Sequence, residues 1–194
     1  IFNQQAKKLA SNFDNRLKNK HNYCMIKRYL EDRVRADLQK KMVFVAGARQ
    51  VGKTTLAKTI LKEPAGYLSW DIPEHREAIL RRELPPVDCL AFDEIHKYRS
   101  WRNYLKGLYD SLQGRASILV TGSARLDYYR FSGDSLQGRY HLLRLHPLSA
   151  AELRITTSEG LQDLLRLGGF PEPFLGGSEV EARRWSREYR TLLV

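Results

Sequence analysis

Apolar residues recur along this chain in two alternating rhythms. Ile26, Tyr29, Leu30, Val34 and Leu38 fall at helical intervals, with Lys27, Arg28, Asp32, Arg33 and Arg35 between them. That spacing predicts an amphipathic helix over 26–40. Short apolar runs follow: Met42 to Val45, Tyr67-Leu68-Ser69-Trp70, Cys89 to Phe92, Ile118-Leu119-Val120, and Tyr140-His141-Leu142-Leu143. Runs of this length bounded by polar residues match strands buried on both faces, as in a parallel sheet. Helical patterns separate them. Residues 54–62 (TTLAKTILK) put Leu56, Ile60 and Leu61 on one face, and SWRNYLKGLYDSL aligns Trp101, Tyr104, Leu108 and Leu112 as a core-facing stripe. Five short strands alternating with helices predict an α/β fold, a parallel sheet with helices on both faces.

Candidate chemistry sits where strands end. Residues 42–55 read MVFVAGARQVGKTT, so a strand leads into Gly47-x-x-x-x-Gly52-Lys53-Thr54 and a helix follows. This is the P-loop pattern in its required context. Gly47, Ala48, Arg49, Gln50, Val51, Gly52, Lys53, Thr54 and Thr55 are the expected ATP-phosphate cradle. Backbone N–H groups point inward at the positive end of a helix dipole. Lys53 is expected to reach the β- and γ-phosphates, and the Thr54 hydroxyl to bind Mg²⁺. Downstream, the run CLAFDEIHK ends in two adjacent acids whose charge at a buried strand end needs a partner. Asp93 suits the acid that holds the Mg²⁺ shell. Glu94 is then free to polarise the water that attacks the γ-phosphate. Alternative roles are an N-cap for Asp93 and a salt bridge to Lys97 or Arg99 for Glu94.

A catalytic Glu directly after the metal Asp belongs to P-loop proteins with an extra strand between the P-loop strand and the Asp strand. That branch carries a polar sensor at the tip of the inserted strand. SILVTGS (117–123) supplies one, with Ser123 or Thr121 able to meet the γ-phosphate or the attacking water; a simple strand-end turn is the alternative. GARQVGKTT, YLSWDIPE, CLAFDEIHK, ILVTGSARL, SLQGRYHLLRLHPLSAAEL and GGFPEPF, in that order, resemble a family of prokaryotic AAA-type P-loop ATPases with a C-terminal domain of unknown function. The resemblance covers roughly 26–194. It implies a three-layer P-loop NTPase sandwich with strand order 5-1-4-3-2, and ATP at the carboxyl ends of the strands. It also implies Mg²⁺-dependent ATP hydrolysis in a homo-oligomer whose neighbouring subunit lends an arginine finger. Arg139 is the first choice for that finger and Arg125 the second, a structural arginine being the alternative. The expected organisation is an appendage at 1–24, an ATPase domain at 25–158, and the start of a truncated C-terminal region at 159–194, since RRWSREYRTLLV lacks a helix stop signal.

Charge and composition refine this. Residues 1–41 hold 11 Lys and Arg against 4 acids, most of the formal net charge of +11. A basic end suits nucleic acid, although a solvated helix face explains it as well. No apolar stretch approaches the roughly 18–20 residues that span a bilayer, and residues 1–24 lack a signal-peptide core. The reading is a soluble, cytoplasmic protein with no membrane partner. Cys24 and Cys89 form no CxxC pattern. His21, His75, His96, His141 and His146 show no metal-ligand spacing and are assigned no chemistry. No Asn-Lys-x-Asp motif supports a GTPase, and Phe131-Ser132-Gly133-Asp134 is a poor, misplaced counterpart of a transporter signature. A nucleotide-gated interaction module with little hydrolysis is the alternative function.

Overall fold

The computed structural model describes residues 26–123, 126 and 136–191. Among them a five-stranded parallel sheet runs in the order β2-β3-β4-β1-β5, the order the resemblance implied. The strands are β1 (Met42–Gly47), β2 (Tyr67–Ser69), β3 (Cys89–Asp93), β4 (Ser117–Gly122) and β5 (Tyr140–Leu145). β1 lies between β4 and β5, and each of its six residues is buried. A strand with neighbours on both edges and helices on both faces has no solvated side, so its sequence is continuous in apolar character.

Side-chain alternation divides the core into two layers. Met42, Phe44, Ala46, Leu90, Phe92, Ile118 and Val120 belong to one cluster with Ile79 from α3 (Pro73–Arg81) and Trp101, Tyr104 and Leu105 from α4 (Trp101–Leu112). Their neighbours Val43, Val45, Ala91 and Leu119 are buried on the opposite face. There α1 (Glu31–Leu38) and α2 (Lys53–Ile60) pack on the sheet, contributing Val34, Leu56, Ala57 and Ile60. Stacking of Phe44 on Tyr140 at 4.4 Å joins β1 to β5 within the first layer.

Some boundaries differ from the sequence expectation. The first helix begins at Glu31, not Ile26, because Glu31 and Asp32 suit the positive end of its dipole. The preceding residues turn to other partners: Arg28 pairs with Glu152 at 2.8 Å, and the Tyr29 hydroxyl donates to the Arg144 carbonyl. The second helix stops at Ile60, with Leu61 extended as its cap. Pro64 disfavours helical backbone just upstream. Three of the described basic residues before β1, Arg28, Arg33 and Arg35, have partners within the fold. Arg33 pairs with Asp37, and Arg35 bonds Glu31 and the carbonyls of Thr59 and Ile60. The expected appendage at 1–24 lies outside the described residues.

The described residues divide into two compact units, one running from Tyr29 to His146 and the other taking residues 147–191 with 26–28. The second unit holds α5 (Ser158–Leu167), α6 (Pro171–Gly176) and α7 (Glu179–Thr191). Thr157 caps α5 by accepting from the Gly160 N–H. Phe170, Trp185 and Tyr189 pack together with ring centroids 4.7 to 5.0 Å apart.

Where β1 ends, Gly47 is required by contact. A Cβ there would lie 2.4 Å from the Leu145 carbonyl oxygen, a backbone atom fixed by pairing of β1 with β5. Gly47→Ala should therefore cost about 1–3 kcal/mol through overpacking, read as a lower midpoint in urea denaturation. An unchanged midpoint would mean that the two strands separate without cost.

Candidate functional site

β1 delivers the loop 48–52 to the carboxyl edge of the sheet, and α2 leaves it at Lys53. Gln50 and Gly52 take left-handed backbone, with φ of 60° and 96°. Glycine does so without steric cost, while Gln50 carries strain on the order of 1 kcal/mol. The first turn of α2 has no side-chain cap and no acid. Its N–H groups and the positive end of its dipole are therefore left for an anion. Lys53 lies within the loop, its Nζ donating to the carbonyls of Gly47 at 3.0 Å and Ala48 at 2.7 Å. Burial pushes the Lys53 ammonium below its ordinary pKa, and the carboxylates of Glu94 and Asp93 oppose that shift.

β3 carries Asp93 to the same edge. Its side chain is nearly buried and accepts hydrogen bonds from hydroxyls on three elements. Thr54 of α2 donates to Oδ2 at 2.7 Å, Tyr67 of β2 donates to Oδ2 at 2.7 Å, and Thr121 of β4 donates to Oδ1 at 2.6 Å. Burial, then the bond to Asp93, raises the Tyr67 phenol well above its ordinary pKa, so it remains a proton donor. Among the described residues no group of three His, Cys, Asp or Glu could hold a metal ion. Thr54 Oγ1 and Asp93 Oδ2 are instead adjacent hard oxygens beside the phosphate loop. This donor set would suit Mg²⁺, a hard cation that takes oxygen ligands.

Glu94 breaks from the strand. It is left-handed at φ 57°, while its N–H still donates to the Thr121 carbonyl at 2.9 Å. A non-glycine residue held there stores strain of about 1–3 kcal/mol, which the surrounding pairing must sustain. Its Oε2 lies 3.6 Å from His96 Nε2 and 3.8 Å from Lys97 Nζ. The salt-bridge alternative for Glu94 is thus present as a loose contact, since Lys97 binds Asp71 much more closely at 2.6 Å. Burial raises the Glu94 carboxyl above its ordinary pKa, with Lys97 opposing.

The structure brings Lys53, Thr54, Asp93 and Glu94 together, and it divides the two hydroxyls at the tip of β4. Thr121 turns to Asp93, whereas Ser123 Oγ lies 3.4 Å from His96 Nε2. His96, assigned no chemistry from sequence, therefore belongs to the site. Tyr67 was missed too, because only the pairing of β2 with β3 sets it beside Asp93. Arg139 is not brought to this chain's own site. Met42 pairs with Tyr140 at the start of β1, and the P-loop leaves from the other end, where Gly47 pairs with Leu145. A strand length of about 17–20 Å separates the two. Arg139 there pairs with Asp110 of α4 at 3.1 Å. Arg125 lies outside the described residues.

The family model for the AAA domain matches residues 39–154, more than half of the chain. An uncharacterized protein of Mycobacterium tuberculosis is 29% identical over 160 residues, covering 79% of this chain and 35% of that protein. A counterpart in Mycobacterium bovis gives the same figures. The chain thus spans about a third of the length of the curated relatives it matches. Among solved structures, Thermotoga maritima RuvB aligns at 20% identity and a TM-score of 0.47, covering 75% of this chain and 55% of that one. A STAND protein from Pyrococcus horikoshii aligns at 17% identity and 0.44, covering 72% and 28%. Among the described residues no helix is long and apolar enough to cross a membrane.

The raised Glu94 carboxyl has a sign that can be measured. A folded-state pKa above the ordinary 4.5 means the folded chain holds this proton more tightly than the unfolded chain. The associated stability is complete below that ordinary value and is lost as pH rises through the folded one. Near neutral pH the charged side chain opposes folding. Glu94→Gln should therefore melt above the wild type at neutral pH, with the advantage fading toward acid. A constant difference across pH would remove burial of Glu94 as its cause.

Proposed function

The chain belongs to the AAA domain family, and from that membership we propose that it binds ATP and hydrolyses it with Mg²⁺, through the cluster of Lys53, Thr54, Asp93 and Glu94. The observation that carries this reading is the 2.7 Å contact between Thr54 and Asp93. It ties the phosphate loop to the end of β3 and leaves Glu94, the next residue, at the phosphate side of the sheet.

The N–H groups of residues 48–55 and the Lys53 ammonium bind the phosphates. Thr54 and Asp93 would hold Mg²⁺, which when bound would neutralise charge developing on the phosphates. Glu94 orients a water in line with the γ-phosphorus and takes its proton. The water oxygen bonds to phosphorus, the bond to the ADP oxygen breaks, and ADP and inorganic phosphate leave. A carboxyl raised by burial is a better base than a surface glutamate, since its pKa lies closer to the working pH. Ser123 senses the γ-phosphate. Arg139 acts across a subunit boundary in a homo-oligomer, because its place at the amino end of β5 sets it far from its own loop.

A second reading is a nucleotide-gated interaction module. It is favoured by the position of the Glu94 carboxylate, which lies within ion-pair range of both His96 and Lys97. A stable MgATP complex without phosphate release would select it.

Three variants separate these readings. Lys53→Ala should abolish measurable nucleotide binding. Glu94→Gln should bind MgATP as the wild type does, with phosphate release lower by about 10² to 10⁴; undiminished turnover would take Glu94 out of the mechanism. Arg139→Ala should slow turnover by about 10³ to 10⁵ without loss of nucleotide affinity. Wild-type specific activity should rise with protein concentration. Activity independent of concentration and of Arg139 would remove the residue from catalysis.

A further inference from the structure

His96 is left without a task by this mechanism, yet it stands between two of its parts. It belongs to the 3₁₀ turn Ile95–Lys97 directly after Glu94, and its side chain is only 6% exposed. One ring nitrogen, Nε2, faces two oxygens: Ser123 Oγ at 3.4 Å and Glu94 Oε2 at 3.6 Å. Neither distance is that of a well-formed hydrogen bond. Shortening either contact to a normal hydrogen bond takes a shift of well under about 1 Å.

Packing fixes the ring at this junction. A Cβ on Gly122 would meet His96 Nδ1 at 2.7 Å and Cε1 at 3.1 Å. The imidazole thus lies directly over the tip of β4, in space that any other residue at 122 would fill. The same tip holds the Glu94 backbone, through the bond from its N–H to the Thr121 carbonyl at 2.9 Å. Backbone and side chain of Glu94 are therefore both referred to β4, the side chain by way of His96.

Hydrogen-bond capacity makes the two contacts exclusive. In neutral imidazole Nε2 is either a donor or an acceptor. As an acceptor it receives a hydrogen bond from the Ser123 hydroxyl and offers nothing to the carboxylate. As a donor it can hold the Glu94 carboxylate, and the Ser123 proton is then free for another acceptor, such as a phosphate oxygen.

We propose that His96 is a positioning residue that couples Ser123 to Glu94, so that the contact made by the Ser123 hydroxyl sets where the Glu94 carboxylate is held. The coupling rests on the placement of Glu94 and Ser123 at the nucleotide described above. Passing from one contact to the other moves the ring proton, the N–H bond at Nδ1 breaking as one forms at Nε2, with the ring neutral in both states.

The test is a double-mutant cycle of Ser123→Ala and Glu94→Gln, read as affinity for a fluorescent ATP analogue with Mg²⁺, a measurement that needs no hydrolysis. With His96 present the two substitutions should be non-additive by at least about threefold. In His96→Ala they should be additive. His96→Phe fills the same space without ring nitrogens and should also abolish the coupling, whereas His96→Gln, with an amide in reach, should retain part of it. Turnover gives the second readout: His96→Ala should lower phosphate release about ten- to hundredfold in the wild type and leave Glu94→Gln no slower than before. Additivity with His96 intact, or coupling that survives in His96→Phe, overturns the proposal. A wild type that binds MgATP without releasing phosphate overturns the hydrolytic reading alone, and the affinity cycle still decides the coupling.

Discussion

The carboxylate of Asp93 is the constraint on which the rest of this domain depends. It is buried at the end of a central strand, where an unpaired charge would cost several kcal/mol. Its partners are hydroxyls, from Thr54, Tyr67 and Thr121. Each belongs to a different element, so satisfying one side chain brings α2, β2, β3 and β4 into a common arrangement. Hydrogen bonds to a charged group contribute about 1.5–3 kcal/mol each. Loss of one donor is costly mainly because the remaining charge stays buried.

Two kinds of tension surround that anchor. Gln50 and Glu94 are held in left-handed backbone, and Lys53 and Glu94 are buried enough to disfavour their charged forms. All of this lies at the carboxyl edge of the sheet, while the opposite edge carries an ordinary ion pair between Arg139 and Asp110. The apolar layers on both faces supply the rigidity that sustains the strained edge. Strain, buried charge and converging hydroxyls in one place are what a site prepared for a phosphate and a cation requires.

Much of this was legible in the sequence because it is local. The P-loop is a spacing within eight residues, and its flanking strand and helix are read from the same stretch. Asp93 and Glu94 announce themselves as charges closing an apolar run. The order of the strands followed from a resemblance carried by several spaced motifs, and the sheet has that order. What escaped is what depends on register. Tyr67 reaches Asp93 only because Ser69 pairs with Asp93 across β2 and β3. His96 looked idle because metal-ligand spacing was the pattern sought, and its neighbours come from the tip of another strand. The first helix started late because Arg28 and Tyr29 found partners more than 100 residues away, which no local periodicity reveals.

The tip of β4 then has a meaning beyond a strand end. Thr121 holds Asp93 through its hydroxyl and Glu94 through its carbonyl, Gly122 makes room for His96, and Ser123 completes the contact. Three consecutive residues thus touch the candidate metal acid, the candidate base and the ring between base and sensor. Thr121 and Ser123 are two residues apart, so strand alternation already directs both to one face, and Gly122 between them leaves room for the ring. Thr121 pairs with both Val45 of β1 and Asp93 of β3. Motion of β4 relative to either neighbour would therefore alter the contacts of Asp93 and Glu94 together.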